Sequence, residues 1–188
     1  MSPPLRIFPA GTSAHIYQRA LNGDHVFTEP IDFEAFLDLV RTHTVATGVD
    51  VHGFGVLNTH YHLLATPSTK DAIPNAMQRI DAGYSRYFNR KHGRRGTIWG
   101  GRYKAKVIDD ERYWLTALRY IEQNPVAAGI VKRPDDYVWT SYRVHAHGVS
   151  SWLSSHQVYD ALGGTPHERQ EKYRLATAEG VPLDFALP

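Results

Sequence analysis

The chain has 188 residues, 42% of them hydrophobic and 21% charged, the make-up of one globular domain able to bury roughly 70% of its unfolded surface. It has no cysteine, which excludes a disulfide framework, a thiolate metal site and a thiol nucleophile. The net charge is only +2, no apolar run approaches the roughly 18 residues that span a bilayer, and "MSPPLRIFPAG" lacks a signal-peptide pattern, so an intracellular protein is expected.

The first predicted element is a strand, "SAHIYQRAL" (13 to 21), followed by the turn "NGD". Phe33, Phe36, Leu37, Val40 and Val45 recur at near-helical spacing and predict a helix over 31–47. "VDVHGFGVL" (49 to 57) and "HYHLLAT" (60 to 66) read as strands joined at Asn58-Thr59. A second helix is expected over about 71–91, ending near "HGRRG", where glycines break the pattern. "RYKAKVI" (102 to 108) predicts a short strand. Asp109 or Asp110 can N-cap a third helix, "DERYWLTALRYIEQN", which Pro125 helps to stop. After "NPVAAG" come the loop "RPDDYVWTSY" and one or two short helices. The order β-α-β-β-α-β-α predicts an α+β fold, a ferredoxin-like (split βαβ) antiparallel sheet with flanking helices and a short helical C-terminal tail.

The charge is unevenly placed. Between Asp81 and Asp109 there is no acidic residue, while Arg86, Arg90, Lys91, Arg94, Arg95, Arg102, Lys104 and Lys106 give +8. The rest of the chain is therefore 2 − 8 = −6. Tyr84, Tyr87, Phe88, Trp99 and Tyr103 interleave with these cations. Cations for phosphates and aromatic faces for bases suit single-stranded nucleic acid. The plainer alternative is a solvated basic helix whose aromatics belong to the core.

His60 and His62 alternate with Tyr61 and point to one face of their strand. With a two-residue turn at Asn58-Thr59, Leu57 pairs with His60 and Gly55 with His62. His62 then faces a glycine, with open space expected above it. His52 is offset by an odd count and is expected on the opposite face, unable to complete a three-histidine cluster. Phe54, Val56, Tyr61 and Leu63 form the core-facing side. Two histidines alone could equally be surface residues in a chain that has 11. On the third helix, Tyr113, Ala117, Tyr120 and Asn124 flank the apolar stripe of Trp114, Leu118 and Ile121. Tyr120 and Asn124, four residues apart, lie only ~40° apart around the axis. A core-edge tyrosine and a helix-terminal asparagine remain the plain alternatives.

"HYHLL", "YFNRKHGRRGTIWGGRYKAKVIDDERYWLTALRYIEQNPVAAGIV" and "DDYVWTSYR" together resemble the REP-associated tyrosine transposases, within the single-strand transposases that carry a His-hydrophobe-His motif. The resemblance runs from about residue 13 to about 145. It implies a catalytic domain over 1–148, with 149–188 a tail that is not an independent domain. It implies that His60, His62 and Asn124 bind a divalent metal, Mg²⁺ or Mn²⁺, and that Tyr120 on the third helix attacks DNA. The implied partner is single-stranded DNA, with hairpin-forming repeats expected, handled by a monomer or homodimer. The implied location is the bacterial cytoplasm, at the nucleoid. Three departures stand out: Thr59 intervenes between Asn58 and the first histidine, Tyr61 is bulky where an aliphatic residue is common, and Ala127 replaces the usual arginine.

The implied chemistry is single-strand endonuclease and strand-transferase activity near DNA hairpins through a 5′-phosphotyrosine. A protonated tyrosine is a weak nucleophile with a pKa near ~10, and a cation can polarise the repelling phosphodiester. Two imidazoles and an amide add no negative charge to such an ion, and because Mg²⁺ prefers oxygen ligands, two histidines also suit Mn²⁺. Arg86, Arg90, Arg94, Arg95, Arg102 and Lys104 are expected to bind DNA, with Trp99 a stacking platform in "GTIWGG". Two other classes remain open: a binding module with vestigial catalytic residues, and a metal-dependent hydrolase that uses water.

Overall fold

The computed structural model describes residues 7–180; residues 1–6 of the expected catalytic domain and 181–188 of the expected tail lie outside the described residues. Four strands, β1 (Ser13–Arg19), β2 (Val49–Leu57), β3 (His60–Pro67) and β4 (Lys104–Ile108), form one antiparallel sheet in the order β2-β3-β1-β4. Helices α1 (Pro30–Thr47) and α2 (Ala72–Lys91) connect them. This is the expected ferredoxin-like arrangement, because β2 and β3 close a tight hairpin while each long crossover carries a helix. No described helix is long and apolar enough to cross a membrane.

The alternation of each strand assigns the two faces. Ala14, Ile16, Phe54, Val56, Tyr61 and Leu63 pack against Phe33, Phe36 and Val40 of α1 and Ile73, Met77 and Ile80 of α2. The other face receives α3 (Glu111–Ala127), whose Trp114, Ala117, Leu118 and Ile121 form a second core with Leu64. Asp110 caps α3 by accepting from the Tyr113 amide at 2.8 Å.

Pro125 does not stop α3; it lies inside the helix, which continues to Ala127. Its ring supplies no amide for the carbonyl of Ile121. That carbonyl instead approaches β2, where a Cβ on Gly55 would stand 2.7 Å from it. A Cβ on Gly53 would likewise meet Leu118 at 2.4 Å. The two glycines of "HGFG" thus let α3 lie close to the sheet, and the space expected above Gly55 is filled by helix backbone.

Among the described residues three α-helices follow rather than one or two: α4 (Tyr142–His147), α5 (Gln157–Asp160) and α6 (Pro166–Ala178). Thr165 and Glu168 form a capping box at the start of α6. Before them, the backbone of 139–141 bonds to the free edge of β2, through Trp139 O to the Val56 amide and the Ser141 amide to Phe54 O. Covering that edge removes a template for unwanted pairing. Buried Glu122 of α3 accepts from Ser141, His145 and Tyr173, which ties α4 and α6 to the third helix.

Candidate active site and its basic rim

The hairpin register is the expected one: Leu57 opposite His60 and Gly55 opposite His62. Both histidines face α3, their rings perpendicular with centroids 5.2 Å apart. Asn124 Oδ1 lies 3.2 Å from His60 Nε2. The Tyr120 ring stands edge-on to His62, with centroids 5.8 Å apart. The four residues implied by the resemblance therefore meet at one place, where α3 crosses the hairpin. Tyr120 is half-buried and Asn124 is buried. Tyr113 lies two turns back on α3 under the Lys106 ammonium, 4.3 Å from its ring centre.

His62 is buried, contrary to the open setting expected for it. His52 also departs from expectation. A bulge between Val51 and Gly53 shifts the parity of β2, and His52 bonds Thr66 Oγ1 at 2.8 Å and packs edge-on against Trp114 on the α3 side. It still stays out of the cluster, because Thr66 and the Ser154 carbonyl hold it further along the sheet.

His15 is a member of the cluster that the sequence alone does not reveal. Its Nε2 lies 2.9 Å from His62 Nδ1, and its ring lies nearly parallel to those of Tyr17 and His62, the three centroids 5.1–5.9 Å from one another. It is wholly buried and also meets Tyr120 edge-on. The alternation of "SAHIYQR" puts His15, Tyr17 and Arg19 on one face, but only the β1–β3 pairing turns that face toward His62.

All three imidazoles are lowered from the usual histidine range, which favours their neutral form. Burial and then the Lys106 charge lower His15 to about 3. Burial lowers His60, with Arg19 adding to the effect and the Asn124 contact opposing it. Burial, His15, His60 and Arg19 together keep His62 well below its usual range. Neutral rings offer lone pairs without a competing proton. Among the described residues no group of three His, Cys, Asp or Glu side chains could hold an ion. The side chain that meets His60 on the α3 side is the Asn124 carboxamide, a donor of a different kind.

The basic strip reaches this centre through its loop. The Ala20 amide bonds the Thr59 carbonyl of the hairpin turn, the Gly100 amide bonds Arg19 O, and the Leu21 amide bonds Ile98 O. The loop after α2 is thereby stitched to the end of β1 beside His60. A cavity of about 620 Å³ opens there, bounded by Tyr17, Arg19, Asn22, Gly101, Arg102 and Lys104, with no acidic side chain in its lining. Arg19 lies directly opposite His60; it falls outside the strip and is not among the cations expected to bind DNA. Arg102, Lys104 and Arg95 are exposed, and Arg94 stacks on Phe88. Arg86 and Arg90 are exposed on α2, which packs on the sheet face opposite Tyr120. Lys91 is engaged by Asp32 and Glu29.

Trp99 is not a stacking platform. It is buried against Phe27, Tyr61 and Tyr84, and its indole N–H donates to the Asp81 carbonyl. Tyr84, Phe88 and Tyr103 are buried too. Most of the aromatics in the strip are core residues, and its cations are the part that faces water.

Comparison with known proteins bears on the same elements. Residues 11–124 match the family model described as "Transposase IS200 like". A solved REP-associated tyrosine transposase bound to a REP hairpin is similar with a TM-score of 0.62 and 18% identity, over 84% of this chain and 93% of that one. A protein of Deinococcus radiodurans R1 assigned as a transposase gives a TM-score of 0.45 and 14% identity, over 60% of this chain and 89% of that one. No curated protein matches the chain. The family match runs from the residues before β1 to Asn124, more than half of the chain, and the chain belongs to the IS200-like transposases.

Proposed function

We propose that this transposase is a single-strand DNA endonuclease and strand-transferase that works through a phosphotyrosine at Tyr120. The observation that carries the reading is the convergence of Tyr120 and Asn124, one helical turn apart, on His62 and His60. We place the catalytic unit in residues 1–148, with 149–188 a tail anchored on it through Tyr173. The solved relative is bound to a REP hairpin, and we assign hairpin-bearing single-stranded DNA to this chain. Exposed Arg19, Arg95, Arg102 and Lys104 support a path for the strand along the cavity beside His60.

His60, His62 and Asn124 would hold a divalent ion, Mg²⁺ or Mn²⁺. Their fit is supported by His62 Nε2, which is buried without a hydrogen-bond partner. It is supported again by the 3.2 Å between His60 Nε2 and Asn124 Oδ1, close to the ~3 Å between neighbouring ligands of an octahedral ion with bonds of ~2.1 Å. Bound there, the ion supplies Lewis-acid polarisation of a non-bridging phosphate oxygen. The tyrosine does the covalent work. Tyr120 Oη forms a bond to phosphorus as the P–O3′ bond breaks; the phenol loses its proton and the departing 3′ oxygen gains one. The products are a 5′-phosphotyrosine and a free 3′ hydroxyl. The ester is conserved, so attack by a 3′ hydroxyl on that phosphotyrosine rejoins strands and returns the tyrosine without ATP.

Single-stranded oligonucleotides carrying hairpins from the flanks of its own gene, incubated with and without Mn²⁺, test the reading. A metal-dependent nick with a covalent adduct is expected. Binding without cleavage would indicate a binding module, and cleavage without an adduct would indicate a hydrolase.

A further inference from the structure

We propose that His15 is a positioning residue for this centre: it accepts the Nδ1–H of His62, so that His62 Nε2 presents a bare lone pair to the ion. The inference rests on the reading of His60, His62 and Asn124 as the ligands. His15 Nε2 and His62 Nδ1 are 2.9 Å apart, and one of them must donate. If His15 donates, the His62 proton sits on Nε2 and blocks that atom as a ligand. If His62 donates, Nε2 is free and the His15 proton sits on Nδ1; both of these ring nitrogens are buried with no partner among the described residues.

His60 has a parallel layout, although in the metal-free chain its Nε2 donates to Asn124 Oδ1, which can only accept. Thr59 Oγ1 lies 2.9 Å from His60 Nδ1, while His60 Nε2 faces Asn124. In both rings Nδ1 meets a neighbouring side chain and Nε2 points toward the centre, the layout in which an outer partner at Nδ1 orients a ligating imidazole. Thr59 serves one ring and His15 the other. His15 is not a third ligand, because the nitrogen it turns toward His62 is already engaged. Its ring is also held in place, nearly parallel to those of Tyr17 and His62 with interplanar angles of 16° and 15°. Among the described residues His15 is the hydrogen-bond partner of His62 Nδ1, so its removal takes away the acceptor that fixes the tautomer.

Two measurements test this. Long-range ¹H–¹⁵N spectra of the parent protein, without metal, report which nitrogen of His62 carries the proton. Nδ1–H is expected, and Nε2–H overturns the proposal without need of any variant. Mn²⁺ titration then compares His15→Phe, which fills the space but accepts nothing, with His15→Gln, whose carbonyl can accept. The dissociation constant should weaken about tenfold or more in His15→Phe and recover in His15→Gln. Parent-like affinity in His15→Phe, while His60→Ala loses binding, overturns the role of His15 alone. Equal Mn²⁺ binding by the parent and His60→Ala overturns the ligand assignment and the His15 role with it.

Discussion

The carbonyl oxygen of Ile121 lies 2.7 Å from the position a Cβ on Gly55 would occupy. Two residues permit that closeness: Pro125 offers no amide to the carbonyl, and Gly55 has no side chain to keep the helix away. The strand residue opposite Gly55 is His62, so the same approach sets the height of Tyr120 above the imidazole.

Gly55→Ala tests this coupling. Its new methyl meets backbone, which cannot swing aside, so the helix must lift. Overpacking of this kind costs about 1–3 kcal/mol, read by urea denaturation. Cleavage should fall further than stability explains, because Tyr120 and Asn124 move together. A variant that loses stability but keeps the parent's cleavage rate would detach the helix height from the chemistry.

Removing a ligand should cost more than removing an outer partner. His60→Ala, at a half-buried position, should fold normally yet lose Mn²⁺ affinity by more than the roughly 10–100-fold typical of changes to outer partners. His62→Ala should lose binding too, and should also lower the melting temperature because His62 is buried. Unchanged Mn²⁺-dependent cleavage in either variant would remove the metal assignment.

The rim makes a prediction about salt. Alanine at Arg102 or Lys104, or at both Arg94 and Arg95, should weaken binding across sequences. For every phosphate that is no longer neutralised, the log–log salt slope should flatten by about one unit. Filter binding of hairpin DNA at several salt concentrations measures this, and a slope equal to the parent's in the Arg94, Arg95 double variant would mark those two as merely solvated.

Asp81 supplies a pH test away from the chemistry. Burial pushes its carboxyl up to about 6, against the opposing hydrogen bonds from Tyr61 and Gln18. Its folded value lies above the ordinary 3.8 of an aspartate, so the folded chain holds the proton more tightly. The stabilisation is complete below pH ~4 and is lost as pH rises to ~6. Over that window Asp81→Asn should gain on the parent by up to about 3 kcal/mol. Urea denaturation at a series of pH values measures the difference, and a constant offset between the two proteins would contradict it.

The parts of the site legible in the sequence are those set by local periodicity. A two-residue turn and the period of two pair Gly55 with His62, and the helical period sets Tyr120 beside Asn124. Features that depend on distant contacts are not legible. His15 joins the site only through β1–β3 pairing, and Arg19 lies beside His60 for the same reason. The bulge at His52 reverses a parity that regular alternation assigns to the other face. Trp99 sits in a glycine-rich loop that reads as exposed, but main-chain bonds from Leu21 and Arg19 fold that loop onto the core. The start of α6 is different, because the capping box of "TPHE" is a local signal present in the sequence itself.

Tyr120 as the nucleophile carries the mechanism, and Tyr113 is its nearest rival. Tyr113 lies in the first turn of α3, with its amide on the capping Asp110 and its ring under Lys106. Tyr120 lies one turn before Asn124 and edge-on to His62. Denaturing electrophoresis of a labelled hairpin oligonucleotide with Mn²⁺ compares the parent, Tyr120→Phe and Tyr113→Phe. The parent and Tyr113→Phe should yield a slow-migrating covalent adduct and a nick, whereas Tyr120→Phe should bind the DNA and yield neither. An adduct that survives in Tyr120→Phe would place the nucleophile elsewhere.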